Sequence, residues 1–247
     1  MSMGRSAGVV AVVLLLACWC GPAQAFRPFD GTDAAVADLH QIEIELGPVE
    51  YLRDGAQRTL FAPSTVFNYG FTPGWEGVIE GRVAHALSGR GVLGAGLIDA
   101  GAFLKGVLRE GALQDKAGPS VATEFGILLP GIRDDHGIGA SIAGVLSQRW
   151  GWGMIHLNAA ASLTRQQHPD LFLDAIIEGP YAWTVRPVAE LFYDRDFAAT
   201  ATRSALVGAI WQVKDDVAVD FGLRGARSGD HTAGEIRLGI TIAFSAR

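Results

Sequence analysis

The chain has 247 residues, of which 49 % are hydrophobic and 19 % charged, and its mean hydropathy is positive at +0.24, which excludes a disordered chain or a coiled coil. Its 32 glycines, well above the usual ~7 %, follow no Gly-X-Y period, so they exclude collagen and disfavour long helices. The formal charge of −6 leaves no basic field for a polyanion, so nucleic acid is not an expected partner.

Residues 1–25 follow the grammar of a cleavable signal peptide: Arg5 in a short positive region, an apolar run from Val9 to Trp19, and Ala23-Gln24-Ala25 as a small-x-small cleavage site. The run is well short of the ~20 residues of a spanning helix. Both cysteines, Cys18 and Cys20, lie inside this leader, so the exported chain is expected to carry neither disulfides nor thiolate metal sites. Residues 26–40 are read as an N-terminal periplasmic segment and residues 41–247 as a barrel.

From Gln41 onward the dominant signal is alternation with period two. Gln41 to Leu52 sets Ile42, Ile44 and Leu46 against Glu43 and Glu45, and Thr59 to Phe71 sets Phe61, Phe67, Tyr69 and Phe71 against Ser64 and Asn68. Weaker segments follow at Trp75 to Leu87, Ala100 to Arg109, Ser120 to Leu129 and Gly137 to Arg149. Met154 to Thr164 opposes Ile155, Leu157 and Leu163 to His156, Asn158 and Ser162. Leu171 to Gly179, Val185 to Tyr193 and Ser204 to Val213 lead to Val217 to Arg224. The last segment, Glu235 to Phe244, places Ile236, Leu238, Ile240, Ile242 and Phe244 on one face. About twelve strands are predicted.

The connectors also alternate. Short ones, such as Thr72-Pro73-Gly74, Trp150 to Gly153, Pro180 to Thr184 and Lys214-Asp215-Asp216, share one rim. Longer ones, Arg53 to Arg58, Ser88 to Asp99, Pro130 to His136, Arg165 to Asp170, Asp194 to Arg203 and Gly225 to Gly234, share the other. Glu110 to Gly118 is the exception, a long link on the short rim. Trp75, Trp150, Trp152, Tyr181 and Trp183 fall beside the short turns, where an aromatic girdle is expected.

An apolar face on nearly every strand needs a cover. The opposite faces combine charges with many Gly, Ala, Ser and Thr, which suits a narrow lumen better than the wet face of a sandwich. Outer-membrane lipid is therefore the expected partner of the greasy faces, and closure pairs every backbone group, as hydrocarbon demands. The fold class expected is all-β: a closed antiparallel up-and-down transmembrane barrel.

The motifs Arg27-Pro28-Phe29, Thr32-Asp33-Ala34, Ile42-Glu43-Ile44-Glu45-Leu46-Gly47, Pro187-Val188-Ala189-Glu190-Leu191, Gly222-Leu223-Arg224 and Gly239-Ile240-Thr241 resemble the outer-membrane transporters grouped as the "MetA-pathway of phenol degradation" family. The resemblance covers most of the chain after the leader, through short, degenerate motifs. It implies a Gram-negative outer-membrane barrel that admits small, often hydrophobic or aromatic compounds, and it defines no catalytic residues. One departure is that Phe244 is followed by Ser245-Ala246-Arg247, where such barrels usually end on the aromatic read by the barrel-assembly machinery, the other expected partner.

The registers assign Glu43, Glu45, Glu76, Glu80, Arg82, Lys105, Glu124, His156, Asn158, Glu178, Arg186, Glu190, Asp220, Arg224, Glu235 and Arg237 to the lumen. Such charges need partners, so ladders of ion pairs are expected, with Arg224 or Arg237 bonded to acids on neighbouring strands. They either brace the interior or line a route. His136, His168 and His231 lie beside Asp134, Asp135, Asp170 and Asp230 in polar connectors, an ordinary pattern for surface loops. No G-x-S-x-G, H-E-x-x-H or phosphate-binding motif is present, and no enzyme, metal or cofactor is expected. The sequence points to a passive channel for an unidentified small-molecule cargo. A structural or lipid-modifying barrel and a soluble exported ligand-binding barrel remain open at this point.

Overall fold

The computed structural model describes residues 27–88, 94–132 and 136–246. The proposed leader and the Asp134-Asp135 pair lie outside them. Twelve strands form one closed antiparallel ring: β1 (Gln41–Asp54), β2 (Gln57–Thr72), β3 (Trp75–Ser88), β4 (Ala95–Arg109), β5 (Ser120–Leu128), β6 (Gly139–Trp150), β7 (Gly153–Leu163), β8 (Pro169–Glu178), β9 (Val185–Asp196), β10 (Thr202–Lys214), β11 (Val217–Ser228) and β12 (His231–Ser245). Each strand pairs with its sequence neighbours, and β1 closes on β12 from Gln41↔Ser245 to Asp54↔Ala233. There are no two stacked sheets and there is no open seam among these strands.

Burial along the strands is inverted relative to a water-soluble protein. On β12, Glu235 and Arg237 are 4 % and 5 % exposed, whereas Ile236 and Leu238 are 45 % and 43 % exposed. The same inversion recurs in β9, with Glu190 buried and Leu191 exposed, and in β11, with Asp220 buried and Phe221 exposed. Aliphatic residues ring the outside and charged ones face the axis, the arrangement expected of a wall bathed in hydrocarbon.

Two bulges reset this alternation. On β1 the pairing jumps between Leu46 and Val49, around Pro48, and on β2 it jumps between Phe61 and Ser64, around Pro63. Proline has no N–H for the ladder, so a bulge is where a paired strand accepts it. As a result Glu50 turns inward, and so does Phe61, contrary to the expectation that Phe61 shares the outer face of Phe67, Tyr69 and Phe71.

Several predicted loops are strand. β4 begins at Ala95, and the links expected at Arg53 to Arg58 and Gly225 to Gly234 shrink to hairpin tips in which Gly55 and Gly229 supply positive φ angles of 56° and 57°. The strands continue above the apolar band, where pairing no longer requires a greasy face, so hydropathy alternation loses them. The Glu110 to Gly118 link is ordered. It contains a 3-10 turn (Ala112–Gln114) whose Gln114 side chain and Leu113 amide both bond the Ser120 hydroxyl, at 2.7 and 2.9 Å.

Replacing Leu238 with Arg at the middle of β12 is expected to destabilise the barrel by ~2–4 kcal/mol in urea unfolding from phospholipid vesicles. A change within ~0.5 kcal/mol, as for an ordinary wet surface site, would mean that this face does not touch lipid.

Candidate functional site: the barrel lumen

The lumen is built by the inward member of each alternating pair, and residues 27–40, preceding β1, thread it. This segment runs from mid-height, where Arg27 bonds Ser64 (2.8 Å) and pairs with Glu50, down to the rim holding β1's start and β12's end, where the His40 amide bonds the Gly70 carbonyl at 2.7 Å. Phe29 packs on Val188, Ile210 and Ala218, and Ala34 joins Ala122, Val145 and Leu113, so two small apolar patches fix the segment against opposite sides of the interior.

Its strongest anchor is Asp30. Arg237 donates to it at 2.9 Å and Arg224 at 3.0 Å; both arginines also pair with Glu235 at 3.1 Å, and Arg237 donates to the Pro28 carbonyl at 2.7 Å. Burial alone would raise the Asp30 carboxyl, but the charges and hydrogen bonds of Arg237 and Arg224 outweigh it and hold that group well below the usual carboxylate range. The predicted ladder is therefore present between Arg224 and Glu235 on adjacent strands. For Arg237, however, the acids are its own strand's Glu235 and the segment's Asp30.

The other inward residues continue the clasp. Glu190 accepts from the amides of Asp30 and Gly31 at 2.7 and 2.9 Å. Asn158 accepts from the Thr32 amide (3.1 Å) and donates to Asp174 (3.0 Å). Lys105 donates to the Thr32 hydroxyl at 2.9 Å and lies 3.5 and 3.6 Å from Asp33 and Glu76. Glu76 accepts from the Ala37 amide (2.7 Å), and Ser147 accepts from the Ala34 amide (2.9 Å) while contacting the His156 Nδ1 at 2.8 Å. His156 and Arg186 bracket Glu178 at 3.3 and 3.2 Å.

Beside the segment runs a cavity of about 440 Å³, with Asp38 and Gln41 near one rim and Ser162 and Asp170 near the other. Glu43, Glu45, Glu80 and Glu124 line it, with Phe103 and Phe172 between them. Arg82 stands over the Phe61 ring (4.4 Å) and pairs with Asp99 (2.6 Å), while Asp220 is buried on the β11 wall. A second cavity of about 440 Å³ opens at the short-turn rim among Arg149, His156, Glu178 and Arg186, and Asp33 borders both. Tyr181 lies here with the guanidiniums of Arg149 and Arg186 at 5.2 and 5.8 Å from its ring, so it covers the lumen mouth instead of joining the girdle. Trp150 and Trp152 stack outside at 5.5 Å, and Trp211 adds an exposed tryptophan at the same rim that the turn-based reading does not include.

The sixteen residues that the registers assign to the lumen all sit on inward strand faces. Glu50 escapes a strict alternation because of the Pro48 bulge. Asp174 shares its strand parity with Glu178 and is readable on that ground. Arg27, Asp30 and Asp33 carry no signal of their own, since a non-strand segment gives no face.

No protein-family model matches the chain, and no curated protein matches it by sequence. Solved structures do match in fold. An outer-membrane channel from Pseudomonas putida F1 aligns over 87 % of this chain and all of its own at TM-score 0.61 and 9 % identity. The NanC porin aligns over 81 % of this chain and 98 % of its own (0.57, 7 % identity), and the KdgM porin over 83 % and 99 % (0.53, 11 % identity). The fold is that of outer-membrane channels and porins.

Because the Asp30 carboxyl is held low, its share of the docking is present above the ordinary carboxylate value of 3.8 and is lost only as pH falls through the lower docked value. Amide hydrogen exchange at Gly31 to Ala34 should stay slow at ~pH 5. In Asp30→Asn it should speed up at least about tenfold at neutral pH. Unchanged exchange in that variant would remove Asp30 as the anchor.

Proposed function

We propose that the chain is an outer-membrane channel through which small molecules pass by diffusion, with residues 27–40 setting the bore. The observation that carries this reading is the cavity beside the segment, whose lining reaches from near one rim to near the other inside a sealed ring with an apolar exterior. The fold-level likeness to outer-membrane channels supports it. No group in the lumen is assigned a chemical step.

The wall beside the segment mixes carboxylates with Phe103, Phe172, Val66 and Val78, so a solute with one polar and one apolar face meets complementary surfaces. Together with the resemblance to the phenol-degradation transporters, this favours small hydrophobic or aromatic cargo. We further infer export by the 1–25 leader and insertion into outer-membrane lipid by the barrel-assembly machinery.

Liposome swelling with small neutral sugars and small aromatic solutes tests the proposal. Wild-type barrels should show slow, size-limited flux. Glu190→Ala, which removes the acceptor of two segment amides, should raise it by about tenfold as the segment loosens. No flux in either protein, with intact folding, would leave a structural barrel instead.

A further inference from the structure

The outer face at the longer-loop rim carries a feature that neither the lumen nor the segment inside it uses. On β1, Glu50 points inward, so Arg53 faces out; it pairs directly with Arg58 of β2. On β10 and β11, Ser204 and Asp220 are buried within, so Arg203 and Arg227 face out, and they too are direct cross-strand partners. All four are exposed, and among the described residues none is within ion-pair distance of a carboxylate. Two like-charge pairs placed directly opposite each other are destabilising in a sheet unless something neutralises them.

Between these pairs the wall loses its side chains. One outward row runs Ala205, Gly225, Gly234, Arg53, Arg58 across β10, β11, β12, β1 and β2. A Cβ added at Gly225 or Gly234 would meet nothing within 4 Å. The row below it is Val207, Leu223, Ile236, Tyr51 and Leu60, the top of the apolar band. The row above begins with Arg203, Arg227 and Thr232. The floor thus spans three strands, about 10 Å at ~4.8 Å per strand, bordered by arginines on two sides and by aliphatics beneath. The Nε atoms of Arg53 and Arg227 bond the carbonyls of Gly55 and Gly229 at the hairpin tips, at 3.4 and 3.0 Å, which props both guanidiniums at the notch.

We propose that this notch seats the phosphorylated sugar headgroup of an outer-leaflet glycolipid, with its phosphates on the Arg53/Arg58 and Arg203/Arg227 pairs and its acyl chains along Val207, Leu223 and Ile236. Guanidinium forks match phosphate oxygens two bonds at a time, and a flat sugar ring fits a floor of Gly and Ala. The phosphates cancel the like-charge cost of the paired arginines. The inference rests on the outer-membrane reading above, with the longer-loop rim facing outward.

Native mass spectrometry of the full barrel in detergent, offered bisphosphorylated lipid A or its phosphate-free analogue, tests it. The wild-type protein should retain the bisphosphorylated lipid about tenfold better than the analogue. Retention should fall to the analogue's level in R53Q/R58Q and in R203Q/R227Q, and also in G225L/G234L, which keeps every arginine and fills the floor. A K214Q change at the opposite rim should leave it intact. Heat-modifiable gel mobility verifies that each variant is folded. Equal retention of the phosphate-free lipid, or unchanged retention in the folded double variants, would overturn the proposal. Fractionation of wild-type cells reads the outer-membrane assignment separately, so a barrel found elsewhere that still binds the lipid would sink that assignment and not the binding site.

Discussion

Hydrocarbon cannot hydrogen-bond a peptide group, and the closed ring of strands in this chain has the form that meets that constraint. A wall made of strands survives in lipid only if every strand is paired on both sides, which a sheet achieves by returning its last strand to its first. The β1–β12 ladder does this over nearly the full length of both strands, and it tolerates Pro48 by bulging there instead of breaking. With closure comes the inversion of burial: aliphatic side chains stand on the outer face, and the inside takes the charges.

A lumen of paired acids and bases then needs geometry as well as stoichiometry. The strand residues alone leave Arg237 and Arg224 sharing Glu235. The segment before β1 completes the set by offering Asp30 to those arginines, Arg27 to Glu50 and Asp33 to Lys105, while Phe29 and Ala34 bury apolar surface on opposite walls. Acidic and basic side chains that a wide, wet pore would leave to water are bonded here to a strip of backbone. The interior is thereby braced and narrowed by one device, so stability and bore are coupled.

Much of this was legible in the sequence. Period-two patterning in β7, β11 and β12 is strong because one face must be greasy throughout, and it located all twelve strands and the inward faces of Glu43, Glu190 and Arg237. It failed where its physical cause is absent. Above the apolar band, strand ends such as Ala95 to Asp99 and Gly225 to Ser228 pair without a continuous greasy face. At Pro48 and Pro63 the parity resets, which hid Glu50 and misplaced Phe61. Residues 27–40 have no periodicity, and their place in the lumen depends on partners from eleven of the twelve strands, so no local pattern could announce it.

The account turns on residues 27–40 lying inside the ring and limiting passage. Ala34 and Ser147 are brought together by a 2.9 Å hydrogen bond, so cysteines at both positions provide a lock. The decisive measurement is planar-bilayer conductance of an Ala34→Cys, Ser147→Cys barrel that also carries Asp30→Asn, before and after reduction. The account predicts that the cross-link forms in the folded barrel, that conductance is low while it holds, and that it rises on reduction. A cross-link that never forms, or conductance indifferent to it, would contradict the account.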